Sequence, residues 1–163
     1  MIENNNIFLV YIFLNMQKQM RPWVYALMYK DDQILVVKKW RWPFTGMYDL
    51  PWGKIEHYEK HIDWLKREIF EETGLMENEF EIKKLLTVEE TFATHVWQKN
   101  ERQDHIIWIV YLVQIITQKI HFDHKDDYWD ARGSKLIDMD DENIQKTHIL
   151  QQAILKFRKG KDL

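Results

Sequence analysis

The chain contains no cysteine among its 163 residues. Disulfide bonds, thiolate zinc sites and cysteine nucleophiles are therefore all excluded. A chain without cysteine also suits a reducing compartment, and we expect a cytoplasmic protein. The formal net charge is only −3. No broad attraction therefore draws the chain to a nucleic acid polymer, and any anionic ligand must be met by a local basic patch.

The apolar run near the N-terminus is too short to cross a membrane. It extends from Ile7 to Leu14, which is eight residues, whereas a membrane-spanning helix needs roughly 20. The run also lacks the basic flank and the small-residue cleavage site of a signal peptide. We interpret residues 1–20 as an apolar extension that forms an added strand or a docked segment. Membrane contact and a partner interface, such as that of a homodimer, are the alternatives.

The rest of the chain, residues 21–160, has the composition of a single globular domain. Of all residues, 45% are apolar and 30% are charged, which is typical of a folded soluble protein. Apolar runs predict strands at 22–30, 34–40, 47–51, 80–97 (one strand or two), 105–116 and 135–139. Helices are predicted at 59–73 and 141–159, and an acidic loop at 121–134. This mixture predicts an α/β fold in which helices flank a mixed β-sheet.

Three glutamates within one turn of the first predicted helix call for an explanation. Glu68, Glu71 and Glu72 fall within an arc of about 100°, beside the apolar face of the helix. Like charges at this spacing repel one another, and no basic residue lies four positions after any of them. A solvated acidic face is the plain alternative. Several carboxylates next to a glycine-containing loop instead favour a hard divalent cation, Mg²⁺ or Mn²⁺, shared with substrate phosphates.

A longer pattern surrounds the three glutamates. The chain reads Gly53, five residues, Glu59, seven residues, and then REIFEETGL from Arg67 to Leu75. This pattern resembles the signature of the Nudix hydrolase family, G-x5-E-x7-R-E-U-x-E-E-x-G-U with U apolar, and matches it at every fixed position. The lead-in MYDLPWGKIE is similar to that of the family as well. The resemblance implies an α/β/α sandwich in which residues 53–75 form a loop, a helix and a loop.

The resemblance also implies an activity and the residues that carry it. Nudix hydrolases cleave the diphosphate linkage of nucleoside diphosphate derivatives, so we expect a Mg²⁺-dependent pyrophosphohydrolase, with Mn²⁺ as a substitute. The resemblance assigns catalytic roles to Arg67, Glu68, Glu71 and Glu72. It assigns metal binding to the three glutamates and the backbone carbonyl of Trp52. It gives structural roles to Gly53, to Gly74, and to Glu59 as the partner of Arg67.

Further residues complete the candidate site, each with a plainer alternative. Substrate phosphates are expected to meet Lys39, Arg41 and Lys54, which otherwise are solvated charges. The general base is Glu71 or an acid of the 121–134 loop, Asp126 or Asp127, and the alternative for that loop is a solvated acidic segment. A nucleobase could stack on Trp42, Trp97, Trp108 or Trp129, for each of which core packing is the alternative.

Two residues depart from the family pattern. Trp52 and Tyr58 stand where the family usually has glycine. If the backbone needed a positive φ at Trp52, the loop would have to shift. These departures leave a second hypothesis open, a nucleotide sensor or partner-binding module with weak turnover. The sequence markers of ADP-ribose and dinucleoside polyphosphate enzymes are missing. We therefore expect a nucleoside triphosphate as the small-molecule partner, with neither a nucleic acid polymer nor a membrane.

Overall fold

The computed structural model describes residues 17–40, 44–54, 57–97, 100–118 and 131–161. Within these ranges it places the side chains of 19–40, 44–54, 57–92, 103–118 and 133–160. Several predictions fall outside the described residues, namely those for the apolar run Ile7–Leu14, for Arg41 and Trp42, and for Asp126, Asp127 and Trp129.

Seven strands and two helices are formed by the described residues. The strands are β1 (Gln17–Lys30), β2 (Gln33–Lys39), β3 (Tyr48–Asp49), β4 (Trp52–Lys54), β5 (Phe80–Trp97), β6 (Asn100–Ile115) and β7 (Ala131–Asp138). The helices are α1 (His61–Thr73) and α2 (His148–Lys161), and a short 3₁₀ turn covers Glu77–Glu79. Neither helix has the length and apolar character that crossing a membrane would require.

The seven strands form one mixed sheet with β1 at its centre. The order across the sheet is β3-β2-β1-β6-β5, with β4 paired to β1 and β7 paired to β2. β1 runs parallel to β6 and antiparallel to β2 and β4. The turn between β1 and β2 is two residues long, and its first residue, Asp31, has a φ of +54°. Aspartate tolerates this left-handed conformation better than most residues.

Each face of the sheet packs against one helix. Alternate residues of β1 point to opposite faces because the side-chain period of a strand is two. On one face, Val24, Ala26 and Met28 pack with residues of α1. On the other face, Tyr25 and Leu27 pack with residues of α2. The predicted α/β architecture, a mixed sheet flanked by helices, is confirmed.

Two boundaries near the C-terminal end differ from the prediction. β7 begins at Ala131, within the segment predicted as loop, and α2 begins at His148 rather than at 141. The acidic residues before α2 form local turns instead, in which Asp141 Oδ1 accepts the backbone N–H of Asn143 at 2.9 Å. Such side-chain turns compete with a helix. The start of α2 is set by Thr147, whose Oγ1 accepts the N–H of Leu150 at 3.3 Å.

Candidate active site

The helix α1 presents its glutamates beside a buried apolar face. Its buried residues are Trp64, Leu65, Ile69 and Thr73, which fix the helix on the sheet. The helix ends at Gly74, whose φ of +73° and N–H bond to the Phe70 carbonyl at 2.8 Å form a left-handed cap. The flank that carries Glu68, Glu71 and Glu72 is thereby held next to β4.

Arg67 connects three carboxylates. Its Nε and Nη2 each donate to one oxygen of Glu59 at 3.1 Å, a bidentate arrangement that lysine cannot make. Its Nη1 donates to Glu68 at 2.9 Å and to Glu71 at 3.0 Å. Partial burial opposes the charge of Arg67, but the bond to Glu59 and the charges of Glu68 and Glu71 raise its pKa overall. Arg67 therefore remains positive and holds the acidic cluster together.

Glu72 is held from the opposite side of the site. Its Oε2 accepts the backbone N–H of Trp52 at 2.8 Å, and its Oε1 lies 3.3 Å from Lys39 Nζ. Its side chain is only 10% exposed, and that of Lys39 is fully buried. Burial raises the pKa of Glu72 to about 7, against the effects of Lys39 and of the Trp52 N–H, and the charge of Glu68 raises it further. Burial thus destabilises the anionic form of Glu72 in the absence of a further cation.

Glu68 lies directly over Gly53. A Cβ built on Gly53 would overlap the Glu68 carboxylate, so only glycine allows this approach. The same carboxylate accepts the indole N–H of Trp64 at 2.7 Å. Burial raises the pKa of Glu68 as well, opposed by the Trp64 bond and the Arg67 charge, while the Glu71 charge adds to the rise.

The arrangement has the donor chemistry of a site for a hard cation. Four carboxylates, those of Glu59, Glu68, Glu71 and Glu72, meet two cations, Arg67 and Lys39. Four negative charges and two positive ones leave a formal excess of two negative charges. As the side chains stand, no three acidic or histidine residues in the described part of the chain converge as a closed ligand set. The excess charge and the oxygen donors nevertheless fit a divalent ion of the Mg²⁺ type.

The remaining predicted residues lie in different surroundings. Lys54 is exposed at the end of β4, where it is able to meet a ligand. Lys39 contacts Glu72 rather than solvent. Trp108 is only 7% exposed and belongs to the core under α2. It therefore packs in the core, which was the alternative to stacking on a nucleobase. The side chain of Trp97 lies outside the described side chains.

The two departures from the glycine pattern behave differently. Trp52 lies in the extended strand β4, and the described non-glycine residues with positive φ are Asp31 and Tyr58. Trp52 therefore needs no glycine conformation. Tyr58 has a φ of +67° and a side chain that is 96% exposed, so it adopts a strained backbone, and its ring contacts that of His57, with the centroids 4.3 Å apart.

An aromatic cluster around Trp52 was missed by sequence reasoning. The Trp52 ring lies 4.7 Å from that of Trp23 and 5.5 Å from that of Tyr25, between ring centroids. Lys39 Nζ lies 4.6 Å from the centroid of Trp52, a cation–π contact. These residues come from three strands, and no local pattern in the sequence brings them together. The Trp64–Glu68 contact had a local signal, because the two residues are four apart on a helix.

Comparison with known proteins identifies relatives of the whole fold. The chain matches the NUDIX domain family over residues 19–149. An ADP-ribose pyrophosphatase of Methanocaldococcus jannaschii is 30% identical over 127 residues, which cover 78% of this chain and 66% of that protein. The chain therefore spans just under two thirds of that relative's length.

Solved structures with a similar fold include two NUDIX proteins. A MutT NUDIX hydrolase from Burkholderia pseudomallei has a TM-score of 0.60 and 23% identity, and the match covers 85% of this chain and 98% of that one. The NUDIX domain of Shewanella oneidensis NrtR, complexed with ADP ribose, has a TM-score of 0.60 and 16% identity over 99% of each chain. At these identities the likeness concerns the fold.

The chain belongs to the NUDIX domain family. The match to the family includes the whole box from Gly53 to Leu75, whose helix and cap are described above. The predicted family is confirmed at the level of the domain.

Proposed function

We propose that the chain is a Mg²⁺-dependent pyrophosphohydrolase that cleaves the diphosphate linkage of a nucleoside diphosphate derivative. The observation that carries this proposal is the cluster of four carboxylates and two cations formed by Glu59, by residues of α1 and by Lys39 of β2, with its formal excess of two negative charges. A solvated acidic face would leave these carboxylates free, whereas Glu68 and Glu72 are nearly buried. Burying like charges is costly, and a counter-ion that arrives with the substrate would offset the cost.

The residues that would hold the ion are those of the box. Glu68, Glu71 and Glu72 supply carboxylate oxygens, and the backbone carbonyl of Trp52 is proposed as a further ligand. Bound there, Mg²⁺ or Mn²⁺ would neutralise diphosphate oxygens and polarise their bonds to phosphorus. Arg67 orients Glu68 and Glu71, and Lys39 with the Trp52 N–H orients Glu72. Arg67 and Lys39 therefore position the carboxylate ligands.

Substrate binding and proton transfer are assigned to further residues. Lys54 and Arg41 are proposed to meet the phosphates, because Lys39 is engaged with Glu72. The oxygen of a water attacks phosphorus, the bridging P–O bond breaks, and the leaving phosphate keeps its electron pair. Glu71, whose side chain is 37% exposed, is a candidate to accept the proton of the water, and Asp126 or Asp127 is the alternative base.

Two substrate classes are supported by different observations. A nucleoside triphosphate is the default expectation for a family member whose sequence lacks the markers of the other subgroups. ADP-ribose is supported by the name of the Methanocaldococcus jannaschii relative, which is 30% identical. Both contain the diphosphate linkage that the proposed chemistry requires. The cysteine-free chain suits the reducing cytoplasm, which we propose as the location of the reaction.

A panel of substrates tests the proposal. The full chain is incubated with nucleoside triphosphates, ADP-ribose, sugar nucleotides or dinucleoside polyphosphates, each with and without Mg²⁺, and phosphorus NMR identifies the products. We expect turnover of one class that depends on the metal, with cleavage within the diphosphate. Tight binding of a nucleotide without turnover of any would contradict the proposal and favour the sensor or binding module.

A further inference from the structure

The sheet face that carries α1 is only partly covered. α1 packs over Val24, Ala26 and Met28 of β1 and over Val113 and Ile115 of β6. The same face continues along these strands toward the beginning of β1 and β6, where the residues two and four positions before Val24 are Pro22 and Met20. β5 adds a third row, since it pairs with β6 along its whole length.

Exposed and half-buried apolar side chains line this continuation of the face. We call the following six residues the open sheet face: Met20, Leu85, Val88, Phe92, Ile107 and Ile109. The register places Val88 opposite Ile109, and residues directly opposite on adjacent strands point to the same side. Met20 is 66% exposed and Phe92 is 73% exposed. Glu90 and His105 lie on the same face, and the other side chains there are apolar. An exposed apolar patch usually marks a surface that another segment or molecule covers.

A polar pair, His105 and Glu90, lies within the open sheet face. His105 lies opposite Phe92 in the register, and the two rings stack with centroids 4.5 Å apart. The Nε2 of His105 lies 2.8 Å from a carboxylate oxygen of Glu90. These contacts hold Phe92 against the strands, so the large ring is available as part of a preformed surface rather than as a loose side chain.

The chain itself supplies a matching apolar segment close by. The run IFLVYIFL, Ile7–Leu14, has no charged or strongly polar side chain, so little desolvation would oppose its burial. Two residues separate this run from Gln17, the first residue of β1, and Met20 lies three residues further on. An extended run of eight residues reaches about 26 Å, enough to cross three strands spaced about 4.8 Å apart. The tether is so short that the effective concentration of the run at this surface is high.

We propose that the apolar segment Ile7–Leu14 docks on the open sheet face of the same chain. A second copy of the chain is the main competing occupant. The four most exposed side chains of the face offer on the order of 400 Å², about half of the roughly 800 Å² per partner that a stable dimer buries. The surface thus suits a tethered segment better than a free partner. This inference concerns the assembly of the domain and does not depend on the proposed function.

A single thiol tests this docking, because the chain has no cysteine of its own. Val88→Cys introduces a thiol on the open sheet face, and its rate of reaction with a maleimide is measured in the full chain. The rate is compared with that in a chain that also carries Phe8→Asp and Phe13→Asp, which make docking costly. We expect the thiol to react at least about 10-fold faster with the aspartates present, since the segment no longer shields it.

Two matched controls isolate the effect of docking. Asn5→Asp with Asn15→Asp adds the same two charges at polar positions near the run and should leave the Val88→Cys rate unchanged. Leu155→Cys lies on α2, on the other face of the sheet, and should react at one rate in every background. In the reciprocal experiment Phe13→Cys introduces the thiol into the segment and Phe92→Asp disrupts the open sheet face. The maleimide reaction of the thiol should then become faster, although the segment itself carries no added charge.

Two results would overturn the proposal. The proposal fails if the Val88→Cys thiol reacts with maleimide at the same rate with and without the aspartates and if Phe92→Asp leaves the reaction rate of the Phe13→Cys thiol unchanged. These results would show that the segment does not cover the face. Protection that weakens on dilution, with a dimer mass in light scattering, would assign the face to a second copy. Protection that is independent of concentration in a monomer is the result expected.

Discussion

Gly53 lies so close to Glu68 that any side chain at position 53 would overlap the Glu68 carboxylate. This contact makes Gly53→Ala a selective probe of the site. The overlapped atoms are at the end of a flexible side chain, so the fold can yield at a cost of less than about 1 kcal/mol. Activity should fall by at least about 10-fold, because the Glu68 carboxylate is displaced from its position.

The comparison for Gly53→Ala is another glycine in the same chain. A Cβ on Gly160, within α2, meets nothing within 4 Å. Gly160→Ala should therefore keep full activity and raise the free energy of unfolding by at most about 0.5 kcal/mol, because Gly160 lies one residue before the end of α2. Denaturant titration and steady-state rates of both variants give the two readouts. A Gly53→Ala enzyme with normal activity would show that the position of Glu68 is irrelevant.

Removal of the Arg67 fork should loosen the acidic cluster. Arg67→Ala leaves Glu59, Glu68 and Glu71 without their shared cation. We expect a loss of about 1–3 kcal/mol in the free energy of unfolding, allowing for partial exposure of the group to solvent. Arg67→Lys keeps the charge but not the bidentate geometry and should lie between. Equal stability of all three proteins in urea would contradict the role of Arg67 as the centre of the cluster.

The two positions that lack the usual glycine should respond in opposite directions. Trp52→Gly removes a ring that packs on Trp23 and covers Lys39, so the free energy of unfolding should fall by about 2–4 kcal/mol. Tyr58→Gly relieves a positive φ at an exposed residue and should change stability by between zero and about +1 kcal/mol. Thermal unfolding of both variants decides the matter. A stabilised Trp52→Gly protein would mean that the tryptophan destabilises β4.

Much of the site was predictable from sequence because it is local. The box spans 23 residues from Gly53 to Leu75, and its helix and its Gly74 cap follow from spacing along the chain. The contact between Arg67 and Glu59 was implied by the resemblance to the Nudix family. The role of Lys39 was not predictable in the same way. It was expected to meet phosphates, yet it contacts Glu72, 33 positions away, because the sheet brings β2 beside α1.

The predicted start of α2 was wrong because short polar side chains before the helix form turns instead. The acidic residues before α2 resemble the start of a helix, but Asp141 accepts the N–H of Asn143 and forms a turn. Thr147 caps α2 and also donates to the buried Asp49 at 2.6 Å. That tie joins β3 to the helix across 98 positions, and only the folded chain reveals which residue begins the helix.

Divalent metal should stabilise the folded protein. A cation that binds only the native state raises the free energy of unfolding by about 1.4 kcal/mol at ten times its dissociation constant. The melting temperature should rise with Mg²⁺ and return to its starting value when EDTA is added. Glu68→Gln removes one of the carboxylates and should shrink the response, whereas Glu77→Gln, in the exposed pair with Lys66, should leave it intact. A melting temperature that is the same with and without Mg²⁺ or Mn²⁺ would contradict the metal site.

The most direct measurement on the proposed hydrolase is the turnover of its substrate by Glu72→Gln. This change keeps the size of the side chain and removes the charge that Lys39 and the Trp52 N–H hold in place. The matched control is Glu77→Gln, which alters a carboxylate outside the cluster. At saturating Mg²⁺ we expect kcat to fall by at least about 100-fold for Glu72→Gln and to be unchanged for Glu77→Gln. Equal turnover by both variants would show that diphosphate cleavage does not take place at this cluster.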